Sequence, residues 1–258
     1  MNKIKTYYRR NLPHYQPPGY TFFVTFRLSG SLPQHVILRM IEERKREEKY
    51  ISGIADKKER RKQYYEYQHE YFKKFDNLLD NPKSGPKWLL NEKIDGLVVE
   101  ALHYRNGTEY DLIAYTIMPN HVHMVFTPIV ERFAESRNKV TPNKLSTGLD
   151  VDCVESAIRP TIVNRFADSL CDKKDSDSNN IPIYIVSKIL QELKKHTGLE
   201  CNKILNRSGV FWQHESYDHV VRDEKELNNI IEYVLNNPVK AGLIENWEDW
   251  KWSYCKLL

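Results

Sequence analysis

Two short stretches of this sequence hold residues that could do chemistry together. The first is Met118-Pro119-Asn120-His121-Val122-His123-Met124-Val125-Phe126. Side chains on a β-strand alternate between its faces, so a strand here puts His121 and His123 on one face and Val122, Met124 and Phe126 on the other. Two adjacent imidazoles can chelate a divalent ion. The spacing alone does not name the metal, and it also suits two unrelated surface histidines. The second stretch runs from Glu224 to Ile244 and carries Tyr233 and Asn237. Helical residues advance about 100° each, which gathers Leu227, Ile230, Ile231 and Val234 into an apolar stripe and leaves Tyr233 and Asn237 together on one flank. Tyr233 there either packs as an aromatic or offers its hydroxyl to a site. Asn237, one turn on, offers a carboxamide oxygen beside it.

The elements around these residues are readable. Residues 20–28, YTFFVTFRL, have the aromatic and β-branched content of a strand. From about 34 to 80 the chain is charged and helical, with Tyr64, Tyr67, Tyr71 and Phe75 at helical spacing, and Asn81-Pro82 and Gly85-Pro86 punctuate its end. Residues 93–104 read as a short amphipathic helix. Strands over Tyr110–Met118 and His121–Phe126 follow, joined by a tight turn at Pro119-Asn120. Residues 129–182 are polar and irregular and are expected to form a flexible insertion. Order resumes with IVSKILQELKKH, whose stripe is Ile185, Ile189 and Leu193. Asp223 and Glu226 form a capping box for the last helix, which Pro238 is expected to end. Strands interleaved with helices around a central hairpin indicate an α+β domain with an antiparallel sheet. The 258 residues suit a single domain, 1–258, carrying a charged helical insertion at 34–90 and the segment 129–182.

Composition narrows the function less. A formal net charge of +4 permits a nucleic-acid partner without requiring one. Basic residues cluster at Lys3, Lys5, Arg9 and Arg10, at Lys57 to Lys62, and along Lys188, Lys194, Lys195, Lys203 and Arg207. Each cluster also suits a solvated face. Cys153, Cys171, Cys201 and Cys255 are scattered, with no C-x-x-C pair, and are read as free thiols. The N-terminus lacks the apolar core of a signal peptide and no run is long enough for a membrane span, so a cytoplasmic protein is expected.

Taken together, the motifs resemble a known family. Met-Pro-Asn-His-Val-His, then Phe211-Trp-Gln-His-Glu-Ser-Tyr-Asp-His-Val-Val-Arg-Asp-Glu, then Tyr233-Val-Leu-Asn-Asn-Pro-Val-Lys-Ala-Gly-Leu are similar to the REP-associated tyrosine transposases. These are relatives of the small insertion-sequence transposases of the HUH superfamily. The opening Arg9-Arg-Asn-Leu-Pro-His-Tyr-Gln-Pro-Pro-Gly and Val24-Thr-Phe-Arg-Leu fit the same family. The resemblance implies a ferredoxin-like antiparallel sheet with helices on one face. It implies His121 and His123 as ligands of a divalent ion, Mg²⁺ or Mn²⁺, with Asn237 as a third ligand where some relatives carry glutamine. It implies Tyr233 as the nucleophile, with Tyr217 a lesser rival. The substrate would be single-stranded or hairpin DNA, cut through a 5′-phosphotyrosine link. Lys188, Lys194, Lys195, Lys203 and Arg207 would then grip phosphates, and Trp212 would stack on a base. A homodimer is compatible with this reading. A histidine-triad hydrolase needs a third alternate histidine where Val125 stands. A domesticated hairpin-DNA-binding protein without transposition activity remains the alternative.

Overall fold

A computed structural model of the protein describes residues 7–9, 13–80, 85–130 and 184–257. Apart from its first two residues, the expected insertion at 129–182 lies outside them. The elements in chain order are β1 (Tyr7–Arg9), β2 (Pro13–Tyr15), β3 (Phe22–Arg27), α1 (Gln34–Ser52), α2 (Lys57–Asp80), α3 (Glu92–Arg105), β4 (Tyr110–Met118), β5 (His121–Pro128), α4 (Ile185–Ile204), β6 (Tyr217–Val220), α5 (Glu224–Lys240) and β7 (Ser253–Cys255). Short 3₁₀ turns lie at Trp88–Leu90 and Trp247–Asp249.

The five-stranded sheet has the order β6-β3-β5-β4-β7, and every pairing in it is antiparallel. With β7 set aside, the remaining order and the helical crossovers before β4 and before β6 give the β-α-β-β-α-β arrangement of a ferredoxin-like sheet. The fold is therefore α+β. The two crossover helices lie on one face, as expected. There Ile94, Val98 and Leu102 of α3, with Ile189 and Leu193 of α4, pack on Phe22, Phe26, Val122, Met124 and Phe126. The opposite face is covered as well. Phe72 of α2 and Ile231, Val234 and Leu235 of α5 pack there on Phe23, Ala114 and Val125. A register shift between Leu112 and Ala114 makes this possible. The bulge changes the alternation, so that Leu112 joins the first core and Ala114 the second.

The last helix begins as its sequence indicates, with the Asp223 side chain accepting from the Glu226 N–H at 2.8 Å. Its end is different. Pro238 lies inside α5, which continues to Lys240. A proline this late sacrifices only the bond to the Val234 carbonyl. What stops the helix is Gly242, at φ +69°. Its N–H bonds the Val239 carbonyl at 2.9 Å and the Leu243 N–H bonds the Pro238 carbonyl at 3.0 Å, the paired closure that a left-handed glycine allows.

The short β1-β2 ladder is tied to the sheet through buried His14. Its Nε2 meets Glu215 Oε1 at 2.9 Å and its Nδ1 bonds Asp218, while Gln16 Nε2 donates to Asp218 Oδ2 at 2.7 Å. Burial would lower the imidazole pKa, but the hydrogen bonds to Asp218 and Glu215 more than reverse this and raise it to about 9. His14 is thus a cation between two carboxylates at neutral pH. A raised folded-state pKa contributes stability that is complete below the unfolded value and fades as pH rises through the folded one. We expect denaturant unfolding to show a loss on the order of 2 kcal/mol between pH 7 and about pH 10, and His14→Gln to flatten that slope. An unchanged slope in His14→Gln would remove the clamp.

Candidate active site

The face of the sheet under α2 and α5 holds the two histidines. Each is placed by its cross-strand neighbours: His121 lies opposite Arg27 and Met118, and His123 opposite Thr25 and Thr116. The two-residue turn between β4 and β5 sets their height. Its Asn120 is buried, donating Nδ2 to the Leu79 carbonyl at 3.0 Å, with Oδ1 2.6 Å from His121 Nδ1. A carboxamide oxygen only accepts, so His121 Nδ1 donates and its Nε2 carries a lone pair when the ring is neutral. Burial, reinforced by His123, drives the His121 pKa down to about 3, which keeps that ring neutral. His123 is anchored through Nδ1, 2.7 Å from Thr25 Oγ1, a hydroxyl that can donate or accept. The two Nε2 atoms then face each other at 3.0 Å. At that separation either a proton or a cation must sit between them.

Two carboxylate oxygens converge on this pair, and Asn237 lies beside them. Asp76 Oδ1 lies 3.3 Å from His123 Nε2 and 3.9 Å from His121 Nε2, and Asp80 Oδ1 lies 3.8 Å from His121 Nε2. Asp76 and Asp80 are one turn apart on α2 and so share a face. Asn237, fully buried on α5, donates Nδ2 to Asp76 Oδ2 at 3.3 Å. Asp76 Oδ1, Asp80 Oδ1 and Asn237 Oδ1 are all buried without a hydrogen-bond partner. Oxygens left so cost roughly 1–3 kcal/mol each. Two imidazole nitrogens with hard oxygens suit Mn²⁺ or Mg²⁺, and the 3.0 Å between the Nε2 atoms and 3.3 Å from His123 to Asp76 match the edges of a site with bonds of about 2.1 Å. The residues present therefore fit a divalent ion. Burial pushes the Asp76 carboxyl up, but His123, His121 and Lys240 outweigh it and hold it low, at about 2. Asp80 is pushed up, by burial and by the charge on Asp76.

Tyr233 stands at the edge of this cluster, half-buried, its ring between Phe23, Phe72 and His123 at centroid distances of 6.1, 6.1 and 5.8 Å. Its hydroxyl donates to Asp76 Oδ2. Asp76 thus touches the histidines with one oxygen and the tyrosine hydroxyl with the other. Lys240, two residues past Pro238 on α5, caps the group with Nζ 2.9 Å from Asp80 Oδ2 and 5.4 Å from the centre of the Tyr233 ring. Tyr217 is placed differently. It stacks on Phe72 at 4.3 Å, and burial, followed by the charge on Asp218, raises its hydroxyl pKa far above the usual tyrosine range.

Sequence reasoning brings His121, His123, Tyr233 and Asn237 to one place and misses Asp76 and Asp80. The signal for Asp76 was a carboxylate in the same helical stripe as Phe72 and Leu79, which are buried with it. Nothing linked that stripe to the histidines 45 and 47 positions later. The expected DNA contacts divide. Trp212 is buried, with its indole N–H on Thr197 Oγ1 at 2.8 Å and its ring 4.9 Å from Phe26, so it is a core residue and presents no face to a base. Lys194 braces the chain, donating to the Gln213 carbonyl at 2.9 Å, the His214 carbonyl at 3.3 Å and Ser216 Oγ at 2.5 Å. Lys195 and Lys203 are exposed, Lys188 is half-buried, and Arg207 lies 4.1 Å over the half-buried ring of Trp88. A second histidine-carboxylate group, His69, His219 and Glu226, also has converging ligand atoms. Glu226, however, already accepts from Arg222 Nε at 3.0 Å and Nη2 at 2.8 Å, and that guanidinium repels a cation.

No family model matches the sequence. A Haemophilus influenzae protein named a REP-associated tyrosine transposase is 33% identical over 75 residues, which is 27% of this chain and 40% of the relative's length. The chain thus matches less than half of that relative. A solved structure of a REP-associated tyrosine transposase bound to a REP hairpin aligns with 95% of this chain and 80% of its own, at a TM-score of 0.40 and 15% identity, a likeness too slight to support a reading of the site. Among the described residues no helix is long and apolar enough to cross a membrane.

Ion binding tests the geometry directly. At about 100 times its dissociation constant, Mn²⁺ should stabilise the fold by about 2.7 kcal/mol and raise Tm by about 5–10 °C. His121→Ala with His123→Ala should abolish the rise. A rise of equal size in that double variant would place the ion elsewhere.

Proposed function

We propose that the protein is a member of the REP-associated tyrosine transposases, a reading that the quoted motifs and the Haemophilus influenzae relative support, and that it is a hairpin-DNA-binding transposase that cuts and rejoins a single strand through Tyr233. The observation that carries this reading is Asp76. One of its oxygens accepts the Tyr233 hydroxyl while the other faces the paired histidines, so a nucleophile and a cation-binding cluster share one residue.

The chemistry follows from the atoms. A tyrosine hydroxyl has an ordinary pKa near 10 and attacks poorly at neutral pH. Asp76 Oδ2 is placed to take its proton as the oxygen bonds to phosphorus. The phosphorus–O3′ bond breaks, the 3′-oxygen leaves as a hydroxyl that takes up the proton released by Tyr233, and the strand remains on Tyr233 as a 5′-phosphotyrosine ester. Attack by another 3′-hydroxyl reverses these steps and rejoins DNA without an external energy source. A divalent ion, Mg²⁺ or Mn²⁺, held by His121, His123, Asp76 and Asn237 would supply Lewis-acid charge to the phosphate oxygens. Asn120 and Thr25 hold the two imidazoles with their Nε2 atoms directed at that position. Lys240, partly exposed and paired with Asp80, supplies positive potential on the solvent side of the cluster. Exposed Lys195 and Lys203, with Lys188 and Arg207, lie along or just past α4, where a strand's phosphates can be held.

A labelled hairpin with a single-stranded tail, incubated with Mn²⁺ and run on a denaturing gel, should give protein carrying DNA. Tyr233→Phe keeps the ring and its packing and should lower adduct formation by on the order of 10³-fold or more while retaining DNA binding. Tyr217→Phe should still form the adduct. An adduct that survives in Tyr233→Phe would refute the assignment of the nucleophile. Binding of the same hairpin should exceed binding of plain duplex and should weaken as salt rises; equal affinity for random duplex would contradict a single-strand substrate.

A further inference from the structure

Beside the histidine pair, on the same face of the sheet, a partly open cavity of about 70 Å³ lies between α1, α2 and the ends of β3 and β6. Its walls are apolar at Ile37, Met40, Ile41 and Phe75, and two guanidinium groups, Arg27 and Arg44, line it. Both are deeply buried, at 6% and 3% exposure. Arginine is almost never buried to this extent without a partner, because its charge cannot be shed.

The partners present are too few. Arg27 Nη1 donates to Ser31 Oγ at 2.9 Å, and its guanidinium carbon lies 5.7 Å from the centre of the Phe75 ring. Among the described residues no carboxylate forms an ion pair with it. Arg44 bonds the Tyr71 hydroxyl and its guanidinium carbon lies 5.6 Å from that ring, but its Nε is buried without a hydrogen bond and Glu48 Oε1 stands off at 3.6 Å. Glu215 also lines the cavity but is engaged with the His14 cation at 2.9 Å. The remaining groups are the neutral Tyr71, Tyr217, Thr25, Gln213 and Ser216. Two guanidinium groups thus face a small, largely apolar space with one carboxylate at 3.6 Å and one committed to His14. A single anion would offset both, and in low dielectric the attraction is strong.

Size and position narrow the anion. An apolar cavity of about 150 Å³ accommodates benzene, so this smaller space excludes a nucleobase and suits a tetrahedral oxyanion. Arg27 is the cross-strand partner of His121, and side chains so paired stand about 5 Å apart at Cβ. An anion held by Arg27 is therefore a close neighbour of whatever the histidines hold. We propose that this cavity is a phosphate subsite, in which Arg27 and Arg44 grip a backbone phosphate of the bound strand adjacent to the one attacked by Tyr233. This rests on the strand-cutting reading given above, and it adds that register on the strand is set by a second, arginine-held phosphate.

The test uses Tyr233→Phe protein without divalent ion, so that neither cleavage nor metal enters. A hairpin with a single-stranded tail carries one neutral methylphosphonate, moved in turn to each tail phosphate, and affinity is read by fluorescence anisotropy. One position should weaken binding about 10-fold, and it should lie next to the phosphate that wild-type protein cleaves. In Arg44→Gln the same substitution should have little further effect, because the partner charge is already gone. Arg44→Lys, which keeps the charge without the fork, should restore part of the sensitivity and guards against a folding defect, with thermal melts run on each variant. If no position couples to Arg44 while both variants melt as the parent does, the proposal is wrong. Inorganic phosphate distinguishes the sources. Stabilisation by millimolar phosphate that Arg44→Gln loses, without coupling to any tail position, would mean a site for the free anion and would overturn the strand assignment while leaving Tyr233 chemistry untouched. Loss of all hairpin binding by the parent would instead overturn both readings.

Discussion

Three buried oxygens without hydrogens to accept, on Asp76, Asp80 and Asn237, lie at or beside two imidazole nitrogens set 3.0 Å apart. Each such oxygen is costly to bury, and all five donors come from different parts of the chain: two from β5, two from α2 and one from α5. A cation among them would satisfy them at once. The arrangement of the second face of the sheet follows from this requirement. Helix α2 must lie with its carboxylate stripe down, α5 must present Asn237 rather than Glu232 or Asn236, and the turn at Asn120 must hold His121 at the right height.

The same requirement places Tyr233, the proposed nucleophile. Tyr233 and Asn237 are one turn apart, so whatever positions the amide at the cluster positions the hydroxyl beside it. Asp76 then links them, accepting from both. That α5 continues through Pro238 matters here. Ending the helix before the proline would free Asn237 and move Lys240 away from Asp80. The glycine closure at Gly242 keeps both in place.

Much of this was legible in the residues. Alternation placed His121 and His123 on one face, and the strand pairing keeps them there. The Pro119-Asn120 turn, the Asp223 cap and the stripes of α4 and α5 follow local rules of periodicity and capping. What escaped was non-local. Asp76 and Asp80 sit in a run so charged that it reads as a solvated helix, and only its packing over β5 shows which charges turn inward. Trp212 shows the opposite error. An aromatic near basic residues looks like a stacking platform, yet its indole N–H has a buried acceptor in Thr197, a partner 15 positions away that no pattern announces. Arg27 lay unnoticed in the strand motif, because a lone arginine beside apolar residues gives no sign of what it faces.

The central claim is that α2 and the sheet hold one ion between them, and amide hydrogen exchange with and without Mn²⁺ tests it most directly. Protection should rise along α2 around Asp76 and Asp80, together with β5 and the Asn237 turn of α5. Protection that rises only in β5 and α5, with α2 exchanging as before, would mean that the histidines bind metal without the carboxylates and would contradict the account.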